Sequence, residues 1–226
     1  ELLATVDLDA SGTGVTATSG AIYADSSVDS ASDLAMTVTA DVGSGATGTM
    51  GLIDNTYGSI TGTYTNSGTI TQAALTAVGM TLTSSGGGAT TFDAINSTAG
   101  AVSLVASGPG TLVVTSANVD GTGGTFTYNG GDMTAGANIN AGATSVSTTM
   151  TGGSGADTLA GGSSNDVIVG GAGADSITAN AGFDSIDAGA GNDTIVMGSN
   201  ISLSDTVDGG DGTDSLTGTI LSLIHI

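Results

Sequence analysis

The chain has 226 residues and a formal charge of -21, with no Lys, no Arg and no Cys. Without cationic side chains it cannot neutralise phosphates, which excludes nucleic acid as a partner, and anionic membrane surfaces repel it. No thiol chemistry or disulfide framework is available, no apolar run approaches the ~20 residues of a membrane span, and the partners that remain are cations.

The start, Glu1-Leu2-Leu3, lacks both Met and basic residues and reads as an internal stretch of a longer chain. Aromatics make up 3% and Gly numbers 40, so a thick core is not expected and thin, repetitive β-structure is. Residues 1–150 form a Thr/Gly/Ser/Ala-rich β-domain. Apolar residues alternate in short stretches: Met36/Val38, Ile60 and Tyr64 in one phase, Val78/Met80/Leu82, Val102/Leu104, Leu112/Val114 and Phe126/Tyr128. Turn signals such as Asn66-Ser67-Gly68 and Gly86-Gly-Gly88 separate them. The apolar groups recur every 20 to 24 residues from Met36 to Val146, which points to a β-solenoid with coils of that length; a β-sandwich is the alternative.

Three weaker signals lie in or near this part. Gly43-Ser-Gly-Ala-Thr-Gly48 fits a dinucleotide-loop pattern, but Thr49-Met-Gly-Leu52 after it is no helix, so chance explains it. Sequons at Asn96, Asn192 and Asn200 read as accidental. Phe92, Phe126 and Tyr128 are expected in the core rather than on a carbohydrate-stacking surface.

From residue 152 to 217 the chain repeats with period nine. Gly152-Gly-Ser-Gly-Ala-Asp-Thr-Leu-Ala160 opens the series and Gly209-Gly-Asp-Gly-Thr-Asp-Ser-Leu-Thr217 closes it; the sixth unit, Met197 to Asp208, has a loop three residues longer. Position six is Asp157, Asp166, Asp175, Asp184, Asp193, Asp205 and Asp214. Position eight is Leu159, Ile168, Ile177, Ile186, Ile195, Val207 and Leu216. The glycine-rich half of each unit makes a tight turn and the apolar half a three-residue strand with one side chain inward. Two units per coil would stack units n and n+2, aspartate over aspartate. Carboxylates so placed repel, and a hard cation taking six to eight oxygens relieves them.

These units resemble the RTX (repeats-in-toxin, hemolysin-type) nonapeptide Gly-Gly-x-Gly-x-Asp-x-apolar-x, a known calcium-binding repeat. Departures are Ser164 for the third glycine, and Ala179-Asn180 and Ala188 in the glycine pair. The resemblance implies an all-β chain with a parallel β-roll over residues 151–220, Ca2+ as its cofactor, and secretion by a type I system. By position it implies metal ligands at the seven position-six aspartates, with the backbone of Gly153, Gly155, Gly162, Gly171, Gly173, Gly182, Gly189, Gly191, Gly210 and Gly212. The expected pairs are Asp157 with Asp175, Asp166 with Asp184, and Asp175 with Asp193. The longer sixth loop leaves Asp184/Asp205 and Asp193/Asp214 open. Seven apolar side chains cannot offset the cost of ordering some 66 residues, so the roll is expected to be largely disordered without calcium.

Apart from His225, no base near neutrality, thiol, Lys or Arg supports catalysis, so no enzyme activity is expected of this chain. The reading is a calcium-binding structural module of a secreted or cell-surface bacterial protein, surface-layer or adhesin-like, with self-association or a cell-surface partner open. The alternative is a secretion and folding module of an exported protease or lipase whose catalytic domain lies upstream. Residues 221–226, Leu-Ser-Leu-Ile-His-Ile, break the pattern and read as a non-native, adapter-derived tail that carries the sole histidine, His225.

Overall fold

The computed structural model describes residues 4–12, 14–23, 34–121, 123–198 and 201–219; the tail at 221–226 lies outside them. Every strand pairing among these residues is parallel, as in a solenoid, and the sandwich alternative falls away. Two sheets, of thirteen and ten strands, face each other across the core. Each coil contributes one strand to the first sheet (Leu34–Val42, Ile53–Asn66, Leu75–Gly86, Val102–Gly108, Phe126–Met133) and one to the second (Thr47–Met50, Thr69–Gln72, Ala89–Phe92, Leu112–Val114, Ala137–Asn140).

The register sets the coil length. Met36 lies beside Ile60, Ile60 beside Met80, Met80 beside Val102 and Val102 beside Phe126, so the 20-to-24-residue recurrence of apolar groups is one turn of the solenoid. A short third wall accounts for the extra length over a nonapeptide pair. Ile53, Leu75, Ile95 and Ala117 stack there, and all four are fully buried. The strands Ile53–Asn66 and Leu75–Gly86 bend from this wall into the first sheet through an irregularity between Asn55 and Ser59. That bend corrects the simple alternation expected at Val78: Ala77 is buried, Val78 half-buried, and the inward phase resumes at Met80 and Leu82.

A parallel stack buries the same column in every coil. Val38, Gly62, Leu82, Leu104, Tyr128, Met150, Ile168, Ile186 and Val207 form one continuous column of the first sheet. Phe92, Val114, Ile139, Leu159, Ile177 and Ile195 continue in the second. Phe92, Phe126 and Tyr128 are core residues, with Phe92 edge-on to Tyr64 at 4.8 Å between ring centroids. Outward positions carry hydroxyls: Thr37, Thr61, Thr81, Ser103, Thr127 and Thr149 lie side by side across six coils, the cross-strand pairing that β-branched hydroxyls support. Gly43 to Gly48 is a turn into the strand Thr47–Met50, as expected of a chance glycine pattern.

The ladders cross residue 150 unbroken, since Met150 pairs with Tyr128 on one side and Ile168 on the other. Beyond it the third wall is gone and the coil shortens: Val167 lies beside Ser185 and Leu159 beside Ile177, eighteen residues or two nonapeptides apart. The longer sixth loop stretches the next step without breaking the register, because Ile186 still meets Val207 and Ile195 meets Leu216. Five of the seven position-eight residues are buried. Val207 is half-buried and Leu216 is 55% exposed, because no later described coil covers them.

Candidate metal centre: two stacked aspartate columns

Strand alternation places position six on the same face as position eight, so the aspartates point inward rather than outward from the turns. Odd and even units fall on opposite flanks. Ala137 lies beside Asp157, and Asp157, Asp175, Asp193 and Asp214 follow one another on one flank. Thr148, Asp166, Asp184 and Asp205 do so on the other. The first-sheet aspartate column therefore replaces a column that is apolar further up the solenoid: Ile60, Met80, Val102 and Phe126 lead into Thr148 and then Asp166. Asp157, Asp166, Asp175, Asp184 and Asp193 are each at most 3% exposed. Asp205 is half-buried and Asp214 exposed.

One hydrogen bond links each aspartate to the next coil. The amide of Asp157 donates to Asp175 Oδ1 at 2.7 Å, Asp166 to Asp184 at 2.9 Å, and Asp175 to Asp193 at 2.7 Å. The pairs left open by the sequence form too: Asp184 donates to Asp205 Oδ1 at 2.8 Å and Asp193 to Asp214 Oδ1 at 3.0 Å. Going the other way, Asp157 O accepts from Ser176 N–H and Asp175 O from Thr194 N–H, both at 2.8 Å. All five pairs thus stand in register.

The turn glycines are forced by the stacking. Gly153, Gly171, Gly189 and Gly210 follow one another along one flank, as do Gly155, Gly173, Gly191 and Gly212. A Cβ on any of the last three would strike the carbonyl oxygen of the glycine one coil earlier. Gly173, Gly191, Gly212 and, on the opposite flank, Gly182 also hold φ between 121° and 149°, where side chains are strained. A Cβ on Gly161 would lie 2.5 Å from Asp166 Oδ2 and 2.9 Å from Ala179 O, so carboxylate and carbonyl oxygens close in on the first position as well. Asn180 takes a glycine's place at φ 72°, which Asn tolerates, and its Nδ2 donates to Gly161 O at 2.7 Å. Gly162 completes the set; its N–H donates to Asp166 Oδ2 at 2.8 Å.

Burial makes these carboxylates costly. It raises the pKa of Asp157 and Asp166. Asp175 and Asp184 are raised to about 6, by burial first and then by the like charges above and below them, against the lowering effect of the amide each accepts. With no Lys or Arg in the chain, no side-chain cation can neutralise them. Asp175 Oδ2 and Asp193 Oδ2 are buried without a hydrogen-bond partner. A buried, unpaired carboxylate oxygen is strongly unfavourable, and a hard cation satisfies it directly. The residues therefore fit calcium. Among the described residues no three acidic, His or Cys side chains converge, so carboxylates alone would not complete the six to eight oxygens of a calcium ion.

The family model of the RTX calcium-binding nonapeptide repeat matches residues 151–184, 169–200 and 203–219. The C-terminal part of this chain is built of RTX calcium-binding repeats. No curated protein and no solved structure matches the chain. In these RTX units the expected pairing by n and n+2 is present on both flanks. The sequence did not reveal the position-five asparagines: Asn165 Oδ1 accepts from Phe183 N–H and Asn192 Oδ1 from Thr213 N–H, each at 2.9 Å, tying turn to turn. The Asn-Asp dipeptide at 165–166 and 192–193 was the available signal. Asp187 and Asp208 lie side by side on the outer face of the first sheet, away from both columns.

Proposed function

We propose that this chain is a calcium-stabilised structural module of a secreted or cell-surface bacterial protein, surface-layer or adhesin-like, with no catalytic role of its own. The observation that carries the calcium reading is the pair of buried, unpartnered oxygens on Asp175 and Asp193 within columns that no basic residue neutralises. Calcium supplies charge compensation there; the chain supplies spacing, orientation and exclusion of water. The type I secretion typical of RTX proteins fits this coupling: a repeat that needs calcium stays open where calcium is scarce and closes outside the cell. A stiff stack with hydroxyl-covered outer faces and a continuous apolar core suits a spacer or lattice element.

The test uses the whole chain in chelator and in calcium. Far-UV circular dichroism should gain β signal with a calcium midpoint of ~10⁻⁴–10⁻³ M, the range of extracellular modules, and magnesium at the same concentration should not substitute. Sedimentation in calcium then reads self-association. A spectrum indifferent to calcium sinks the proposal, and a chain that stays monomeric at all concentrations removes the lattice role while leaving a spacer.

A further inference from the structure

The position-six aspartates are not equivalent, and the difference lies in the turns. In the first two units the carboxylate is fully used by backbone. Asp157 Oδ1 accepts from Ala137 N–H at 2.6 Å and Oδ2 from Gly153 N–H at 2.8 Å. Asp166 Oδ1 accepts from Thr148 N–H at 2.7 Å and Oδ2 from Gly162 N–H at 2.8 Å. Ala137 and Thr148 belong to the solenoid that precedes the repeats. The later turns of the same flank are built otherwise. Gly171 and Gly189 are rotated to φ 108° and 99°, whereas Gly153 and Gly162 carry no positive φ. The turn amides then bond along the stack, Ala172 N–H to Gly153 O and Gly173 N–H to Ala190 O. Asp175 and Asp193 keep Oδ1 on the previous coil's amide, but Oδ2 is buried with no donor.

We infer that the repeats divide into anchoring and ion-holding turns: Asp157 and Asp166 splice the roll onto the solenoid without calcium, and Asp175 and Asp193 take the ions. This rests on the calcium reading above and assigns its residues. The physical reason is compensation. A carboxylate with two short amide bonds, one to each oxygen, already has both oxygens partly compensated and gains less from a cation. A carboxylate with one bare buried oxygen gains a great deal. The splice also means that the first coil of the roll, residues 152–169, is held by a neighbour already folded, so ordering begins at the solenoid and calcium extends it toward residue 217.

Two measurements on the full chain decide this. Calcium stoichiometry is counted by calorimetry for the parent chain and for Asp157→Asn, Asp166→Asn, Asp175→Asn and Asp193→Asn. The first two should bind as many ions as the parent, and the last two should each lose at least one. Amide hydrogen exchange of the parent chain is then followed in chelator and in calcium. The amides of Ala137, Thr148, Gly153 and Gly162 should stay protected in chelator, while those of Asp157 and Asp175, which donate to Asp175 and Asp193, should become protected only with calcium. Ions lost from Asp157→Asn and Asp166→Asn as readily as from the other two overturn the inference. So does exchange at Gly153 and Gly162 that is fast in chelator, a readout independent of whether any variant folds. A parent chain that binds no calcium at all overturns the proposed function instead, and amide protection at Gly153 and Gly162 still reads the splice.

Discussion

Replacing Ile177 with Ala should weaken calcium binding without touching a calcium ligand. Ile177 is fully buried, in a column between Leu159 and Ile195 of the second sheet. The ladders above and below fix the neighbouring backbones, so the space left by the lost atoms cannot collapse. The cost should be about 3 kcal/mol, inside the 2–5 kcal/mol range for such truncations. Folding of this coil and ion binding are one equilibrium, so the loss is shared among the ions bound on folding. With one ion each at Asp175 and Asp193, it comes to about 1.5 kcal/mol per ion, or about a tenfold rise in the calcium midpoint. The assay is circular dichroism against free calcium, with calorimetry at saturation to count ions. The expected result is a shifted midpoint with an unchanged ion count. An unmoved midpoint would show that the coil is ordered before calcium arrives, and the coupling argument would fail.

Asp214→Ala should lose fewer bound ions than Asp175→Ala, because Asp214 is exposed at the last described coil while Asp175 is buried between Asp157 and Asp193; equal losses in side-by-side calorimetry would refute the register of sites. Acidity should act in opposite directions with and without calcium. Asp175 and Asp184 are raised by burial to about 6 when no cation is present, so their protonated forms favour the fold. That stability is fully present below an unfolded value of ~3.9 and is lost as pH rises through about 6. In chelator the roll's β signal should therefore be greater near pH 4.5 than at pH 7, whereas in calcium it should fall with acid as the ligands protonate; parallel profiles in the two conditions would contradict the charge argument. Phe92→Ala should destabilise the solenoid by about 3–5 kcal/mol, since the ring is fully buried against Tyr64; thermal unfolding in chelator reads this, and a change seen only in calcium would be the wrong result.

Much of the candidate site could be read from residue order because it is periodic. Seven aspartates in phase, each two residues before an apolar one, define which side chains share a face and which units stack, and the n to n+2 pairs follow from two strands per coil. The coil length of residues 1–150 was equally legible from Met36, Ile60, Met80, Val102 and Phe126. A solenoid shows its repeat in sequence because every coil buries the same columns.

Other features depended on contacts between coils. The third wall of Ile53, Leu75, Ile95 and Ala117 recurs with the same spacing as the coil, so the recurrence alone does not separate it from the first-sheet columns. Whether Asp184 reaches Asp205 across the longer sixth loop depended on the loop bulging while the ladder held, which loop length does not reveal. The distinction among the aspartates was the least visible. Asp157 and Asp175 sit in nearly identical nonapeptides, Gly-Gly-Ser-Gly-Ala-Asp and Gly-Gly-Ala-Gly-Ala-Asp. Both accept an amide of the coil before on Oδ1. What separates them is the φ of the second glycine and the donor at Oδ2: Gly153 N–H of the same turn meets Asp157, and none meets Asp175. The residue types of a nonapeptide fix its inward face; whether its turn amides reach the carboxylate or bond along the stack depends on the turn of the neighbouring coil, about 4.8 Å away in space and eighteen or more residues away in the chain.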